Sequence, residues 1–152
     1  MQRRNFLTLG AVAAASAVVT PALQAIDYRA EKPNAWTAKT VDDALKALFG
    51  KTLADATEAN VTVKTPDVAS NGGAVPVDMA CDVDCESFVL LQDVNPESCV
   101  TVFAQNDVTV PKNSVKIKMK KSGSVYAVAK GKDGKLYYAK KTLEVALGGC
   151  EG

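Results

Sequence analysis

The chain has 152 residues, 47% of them apolar, which is typical of one domain with a sizeable core. Its 18 basic and 17 acidic residues give a formal net charge of +1, without the basic excess that nucleic-acid binding requires. It contains four cysteines and no histidine, which excludes a Ser-His-Asp or Cys-His catalytic set within the chain and every zinc site that needs imidazole.

Residues 1–25 are predicted to be a bacterial twin-arginine signal peptide. Arg3 and Arg4 precede a mildly apolar stretch of about a dozen residues, and the small residue Ala25 stands at the expected cleavage point. That stretch is too short for a membrane span, which needs about 20 residues. The alternative is an amphipathic cytosolic helix. The signal predicts export to the periplasm, where disulfides persist.

One helix is predicted near the start of the mature chain, after an extended lead-in over residues 26–38 that shows no clear period. Thr40 is in an N-cap position with Asp43 three residues later, and Gly50 is a typical helix stop. Between them, four apolar residues recur at helical spacing: Val41, Leu45, Leu48 and Phe49. The pattern indicates an amphipathic helix of two or three turns.

Beyond Asn60 the apolar residues alternate with polar ones, which indicates strands. About eight short strands at a spacing of about 11 residues are typical of an antiparallel β-sandwich. Asp133-Gly134 is a suitable two-residue hairpin turn, because both positions tolerate positive φ. A helix plus β-sandwich domain is therefore predicted over residues 26–147. The strands are expected near residues 61–63, 75–79, 88–91, 100–102, 115–119, 125–129, 136–139 and 143–147.

Charge is unevenly distributed along these strands. Residues 67–111 contain eight acidic side chains and no lysine or arginine, whereas residues 112–141 contain ten lysines and one acid. One interpretation is that these are solvated faces of strands that pair with one another. The other is that the two regions steer different partner proteins, because opposed surface fields raise encounter rates.

Cys150 follows the last predicted strand, with Gly148 and Gly149 before it and Gly152 at the end. Glycine is conformationally permissive, so residues 148–152 are predicted to form a loose arm. From residue 147 to Cys150 the arm extends about 10 Å, at about 3.3 to 3.6 Å per residue. A thiol on such a tether can enter a narrow pocket of another protein. The alternative is a frayed terminus whose thiol is incidental or forms an intermolecular disulfide.

Several motifs stand together along the chain: the arginine pair 3–4, the stretch 71–77 (NGGAVPV), Asn95-Pro96, the run 115–119 (VKIKM), the segment 125–130 (VYAVAK) and Gly148-Gly149-Cys150. Taken together they resemble the SoxY family, the sulfur-carrier subunits of the periplasmic thiosulfate-oxidising Sox system. The resemblance extends over nearly the whole chain. It implies an immunoglobulin-like antiparallel β-sandwich that forms a heterodimer with a second sandwich subunit, SoxZ.

The resemblance also implies a function. Cys150 would be the substrate-attachment residue and Gly148, Gly149 and Gly152 the arm hinge, with no cofactor besides a thiosulfate-derived sulfur adduct. The haem protein SoxAX would join thiosulfate to the cysteine, and SoxB would release sulfate by hydrolysis. A sulfane dehydrogenase, where present, would oxidise the remaining sulfur. The chain itself would be a carrier and not an enzyme, its thiol being activated by its partners.

One position of the arm departs from the family pattern. Glu151 stands where the family has glycine, which places a bulky anion next to the thiol. A neighbouring negative charge disfavours the thiolate and repels anionic sulfur adducts. Glu151 is therefore expected to change how partner enzymes bind the arm.

The resemblance does not explain Cys81, Cys85 and Cys99. In an oxidising compartment, a disulfide between two of them is expected, most simply Cys81 with Cys85, although three cysteines allow three pairings. Acidic residues at 82, 84 and 86 raise a metal site as an alternative, but the spacing matches no zinc pattern. A second redox or sulfur-handling thiol is also open.

Two functions from other classes remain as alternatives. The protein could be a disulfide-stabilised periplasmic binding module with an immunoglobulin-like fold, in which case Cys150 would carry no sulfur adduct. It could instead be a thiol oxidoreductase that uses Cys81 and Cys85, whose exchange activity would survive Cys150→Ser.

Overall fold

The computed structural model describes residues 26–146, so the predicted signal peptide and residues 147–152 lie outside the described part. None of the helices in that part is both long and apolar enough to cross a membrane. The helical elements are α1 (Tyr28–Glu31), α2 (Pro33–Thr37), α3 (Val41–Phe49) and a 3₁₀ turn (Leu53–Asp55). The strands are β1 (Ala56–Thr57), β2 (Val61–Lys64), β3 (Val68–Ala69), β4 (Val75–Cys81), β5 (Cys85–Gln92), β6 (Cys99–Ala104), β7 (Lys112–Ile117), β8 (Gly123–Gly131) and β9 (Leu136–Val145).

These strands form two sheets. The larger has the order β1-β9-β8-β5-β6, with β3 also paired to β9, and the smaller has the order β2-β4-β7. All the long strands pair antiparallel, whereas β1 and β3 run parallel to β9. The predicted fold class, a mainly β, immunoglobulin-like sandwich with N-terminal helical structure, is confirmed.

The core has two parts, one on each face of the larger sheet. Alternate residues of β4, such as Val75, Val77 and Met79, are buried between the two sheets. On the other face of the larger sheet, α3 packs its buried residues against β5 and β8. Strand β8 is therefore covered on both faces, which explains its nearly continuous apolar run.

Helix α3 begins and ends where the sequence predicts. The Thr40 hydroxyl accepts a hydrogen bond from the Asp43 amide at 3.1 Å and donates to the Asp43 carboxylate at 2.7 Å. Gly50 ends the helix in the left-handed region, at φ 68°. Its buried face contains Val41, Leu45 and Leu48, as the spacing predicts.

The predicted extended lead-in over residues 26–38 is wrong, because this segment contains the helical turns α1 and α2. The Asp27 carboxylate accepts from the amides of Arg29 and Ala30 and so caps α1. Pro33 starts α2, a position where its missing N–H costs nothing. These turns are too short to show a 3.6-residue period.

The two strands predicted at residues 136–139 and 143–147 are one strand, β9. A turn before β9 is confirmed, but the predicted two-residue turn at Asp133-Gly134 is wrong in length. The Gly131 amide donates to the Lys135 carbonyl at 2.9 Å and the Gly134 amide to the Gly131 carbonyl at 3.0 Å, so the loop is residues 132–134, of which only Gly134 has positive φ, at 78°. Lys140 and Lys141 interrupt the apolar alternation without breaking the strand. They lie in the middle of β9, where β8 is the neighbour on one side and no strand of the described residues covers the other.

Candidate functional site

The predicted attachment residue and hinge, Cys150 with Gly148, Gly149 and Gly152, lie outside the described residues. The structure does describe the residues that precede this segment, up to Ala146. It also describes the other three cysteines, all of which are buried thiols.

The backbone is hydrogen-bonded up to Ala146, the last described residue. The Glu144 amide donates to the Asp67 carbonyl at 2.8 Å, and the Ala146 amide donates to the Ala69 carbonyl at 2.9 Å. Between them, the Val145 amide donates to the Ser122 hydroxyl at 2.9 Å. Because three successive amides are held, the base of the terminal segment is fixed to the sandwich.

An ion pair reinforces this base. The Lys141 ammonium lies 2.5 Å from the Asp67 carboxylate, so it ties β9 to the residue just before β3. Its hydrogen bond and its charge lower the pKa of Asp67. The sequence alone does not mark these residues, because parallel pairing of a two-residue strand leaves no periodic signal.

The acidic and basic regions pair with each other in the structure. Besides the Asp67–Lys141 pair, Glu86 lies 2.8 Å from Lys130 and Asp107 lies 2.5 Å from Lys132. Each pair joins the segment 67–111 to the segment 112–141. Glu86 and Lys130 lie on β5 and β8, which pair with each other, so this ion pair agrees with the interpretation as solvated faces of mutually pairing strands. The other two pairs involve the loop residues Asp67, Asp107 and Lys132.

Cys81 and Cys85 lie side by side in the core between the sheets. Cys81 is the last residue of β4 and Cys85 the first of β5, and they are 8% and 4% exposed. Both belong to the core cluster between the sheets, and the Cys81 thiol donates to the Val83 carbonyl at 3.5 Å. The pair is at the Gly131 end of the larger sheet, because Cys85 pairs with Gly131.

Cys99 lies on the opposite face of the larger sheet. It pairs with Leu91 and is buried in the cluster beneath the helices, with Leu45 and Val128. The sheet thus separates Cys99 from Cys81 and Cys85. Of the three pairings that the sequence leaves open, the structure brings together Cys81 with Cys85, as two free thiols.

Burial makes Cys85 and Cys99 poor nucleophiles. Desolvation is the first cause that raises the pKa of Cys85 to about 12, and the neighbouring Cys81 adds to it. Desolvation likewise raises the pKa of Cys99 to about 11. At neutral pH, both are almost entirely protonated.

We therefore predict selective alkylation of the native, reduced protein. At pH 8 the thiolate fraction of Cys85 is about 10⁻⁴, while a solvated thiol with a pKa near 8.5 is about one quarter ionised. Iodoacetamide should modify Cys150 at least about 100-fold faster than Cys85 or Cys99. From pH 8 to 9 the rate at Cys85 should rise about tenfold, because its pKa of about 12 keeps the thiolate fraction small. Peptide mapping of samples taken over time measures each rate. Equal rates at Cys85 and Cys150 would contradict the prediction that Cys150 is the more reactive thiol.

The described residues include no grouped set of metal-ligating side chains. Within residues 26–146, no group of three or more His, Cys, Asp or Glu side chains is placed to hold a metal ion. This includes the acidic residues Asp82, Asp84 and Glu86 beside the cysteine pair.

The fold and the residue types define a histidine-free β-sandwich whose available reactive group is the thiol. The family described as sulfur oxidation protein SoxY matches residues 45–150. The chain belongs to this SoxY family. No curated protein matches the chain.

Solved structures agree with this assignment. The sulfur carrier protein SoxY from Chlorobium limicola f thiosulfatophilum is 28% identical, with a TM-score of 0.62 over 70% of this chain and 96% of that chain. A superoxide reductase (neelaredoxin) from Ignicoccus hospitalis is 18% identical, with a TM-score of 0.51 over 58% of this chain and 81% of that chain. The second likeness concerns the fold alone.

Proposed function

We propose that this protein is a periplasmic carrier that holds thiosulfate-derived sulfur covalently on Cys150 and presents it to Sox enzymes. The observation that carries the proposal is the family match, which extends to residue 150 and so includes the terminal cysteine. A sulfur carrier role in sulfur oxidation agrees with the matched Chlorobium structure. The Gly-Gly-Cys arm, the adduct and the partner enzymes are the proposed part.

The geometry of the sandwich supports a thiol that stays available. Cys85 is level with Gly131, next to the first residues of β9, while Ala146 follows the last residue of β9. The ten residues of β9 span about 30 Å at about 3.3 Å per residue. Three residues separate Ala146 from Cys150, and the four Cα–Cα steps between them give a reach of at most about 14 Å. Cys150 therefore cannot reach Cys81 or Cys85 of its own sandwich.

Cys99 is also out of reach. It is level with Leu91, Tyr126 and Lys140 across the larger sheet. Lys140 is six residues before Ala146, which is about 20 Å along β9, and Cys99 lies three strands to the side. With no intramolecular disulfide open to it, Cys150 is free to react with an external sulfur compound.

The proposed chemistry uses the thiol as a handle. Joining the outer sulfur of thiosulfate to Cys150 forms one S–S bond, releases the thiol proton and gives two electrons to the haem protein SoxAX. Hydrolysis by SoxB then adds water across the S–SO₃ bond, releases sulfate with protons and leaves a persulfide on Cys150. A sulfane dehydrogenase oxidises that sulfur further. SoxZ forms the heterodimer in which the arm is presented.

The arm's glycines are proposed to let the thiol enter enzyme pockets. We expect Gly149→Val to slow adduct formation by SoxAX and thiosulfate by at least about tenfold, because a wide, β-branched residue beside the thiol obstructs entry and stiffens the tether. Stopped-time intact-mass spectrometry of the full chain with SoxZ measures the rate.

Two controls make this experiment decisive. The rate with iodoacetamide, which needs no pocket, should stay within about twofold in Gly149→Val. Glu151→Gly, which restores the family residue, should form the adduct at least as fast as the unmodified arm, because it removes a negative charge beside the thiol. Equal enzymatic rates for Gly149→Val and the unmodified chain would overturn the arm proposal.

A further inference from the structure

The carrier function does not use the two buried thiols at the end of the sandwich opposite Ala146. Cys81 and Cys85 are separated by three residues, which carry the chain from the smaller sheet to the larger one. The two side chains share one core cluster, and Cys81 is close enough to add to the raised pKa of Cys85. The Cys81 thiol donates to the Val83 carbonyl, in the connection between the two cysteines, at 3.5 Å.

The backbone around the pair is held in place. The Cys81 amide donates to the Pro111 carbonyl at 2.9 Å, and the Asp82 amide donates to the Asn60 carbonyl at 2.9 Å. On the other side, the Lys132 amide donates to the Asp84 carbonyl at 3.0 Å. Because both ends of the connection are hydrogen-bonded to other segments, the two thiols are kept together.

Each thiol also borders a cavity. A polar cavity of about 140 Å³ adjoins Cys85, with Gln105 and Lys132 in its lining. The Gln105 side-chain oxygen is buried there without a hydrogen-bond partner among the described residues. A second cavity of about 620 Å³ adjoins Cys81. Space for a small reagent therefore lies beside each of the two residues.

We propose that Cys81 and Cys85 are an oxidation site that closes to an intramolecular disulfide by exchange with a soluble disulfide. One cysteine thiolate attacks the soluble disulfide and releases its first half as a thiol. The second cysteine then displaces the other half, so the S–S bond forms between Cys81 and Cys85. The two hydrogens of the pair end on the two released thiols, and the soluble disulfide is the oxidant.

The bond has a structural consequence. It joins the end of β4 in the smaller sheet to the start of β5 in the larger sheet and closes a loop of five residues. Constraining this loop in the unfolded chain stabilises the folded domain. The oxidised protein should melt about 5 °C or more above the reduced protein. The raised pKa of Cys85 makes the closure slow at neutral pH and faster as pH rises.

The test is to expose the native, reduced full chain to oxidised glutathione at pH 8.5. Acid quenching, maleimide blocking in denaturant and non-reducing peptide mapping then locate every bond. We expect Cys81 linked to Cys85, Cys99 blocked by maleimide and Cys150 carrying glutathione. Dithiothreitol should return all four cysteines to thiols and lower the melting temperature.

Variants separate this bond from other effects. Cys99→Ser should keep both the linkage and the melting difference, whereas Cys81→Ser and Cys85→Ser should lose both. Linkage of either thiol to Cys99, stable glutathione on Cys81 or Cys85 without closure, or free thiols at both positions after prolonged exposure would each overturn the proposal. If the serine variants do not fold, peptide mapping of the unmodified chain still shows whether Cys81 is linked to Cys85. No Sox enzyme is present, so the result is independent of the carrier function.

Discussion

Replacing Cys150 with serine is expected to abolish thiosulfate-dependent electron transfer to SoxAX, by at least about 100-fold. Serine keeps the size of the side chain but cannot form an S–S bond with thiosulfate, so no later step has a substrate. The measurement is reduction of the SoxAX haem after thiosulfate is added to the reconstituted protein with SoxZ.

Cys99→Ser is the matched control. It makes the same chemical change at a buried thiol beneath the helices. Haem reduction should stay within about twofold of the unmodified protein, since Cys99 plays no part in the proposed chemistry. Unfolding of Cys150→Ser should match that of the unmodified chain, because residue 150 belongs to the proposed arm and not to the described core. Retained haem reduction in Cys150→Ser would exclude this cysteine as the attachment residue.

Phe88→Ala is expected to destabilise the domain by about 3 to 5 kcal/mol. Phe88 is 0% exposed, lies on β5 and contributes to the core between the sheets. Removing the ring loses its buried apolar surface and leaves a cavity in the core between the two sheets. Since a domain of this kind is stable by only about 5 to 15 kcal/mol, the loss is a large fraction. Denaturant unfolding of the reduced protein measures it.

Val108→Ala provides the comparison. Val108 is 89% exposed, so its truncation should change the free energy of unfolding by less than about 0.5 kcal/mol. At a temperature where the Phe88→Ala variant remains folded, Cys150 of that variant should react with iodoacetamide at the same rate as in the unmodified protein. A loss below about 1 kcal/mol for Phe88→Ala would contradict the packing described for β5.

The sequence predicts the sandwich well where a strand has one buried and one exposed face. In β4, Val75, Val77 and Met79 alternate with polar or half-exposed residues, and the alternation marks the strand directly. β9 is harder, because β1 and β3 cover only its two ends. Its middle is an edge in the described residues, where Lys140 and Lys141 meet water and Asp67. Local alternation cannot reveal such partial coverage.

The lead-in could not be predicted for a different reason. Its two helical turns are held by specific contacts, including the Asp27 cap and the stacking of Arg29 on Trp36 at 4.1 Å. Such contacts depend on single residues and produce no periodicity over a short segment. Helices of one turn also gain little from intrinsic propensity.

The candidate site, too, can be predicted only in part from the sequence. Cys150 and its glycines are recognisable from the sequence, because position and residue type carry the signal. The relation among Cys81, Cys85 and Cys99 depends on which face of the larger sheet each residue occupies, which is a three-dimensional property. The structure separates Cys99 from the other two and leaves one pair in contact.

The most direct test of the carrier account is the intact mass of the protein isolated from cells grown on thiosulfate, followed by peptide mapping without reductant. The account predicts sulfur or thiosulfonate adducts on the peptide that contains Cys150, removable by dithiothreitol and absent from cells grown without thiosulfate. Adducts confined to Cys81, Cys85 or Cys99, or an unmodified Cys150 under both conditions, would contradict it.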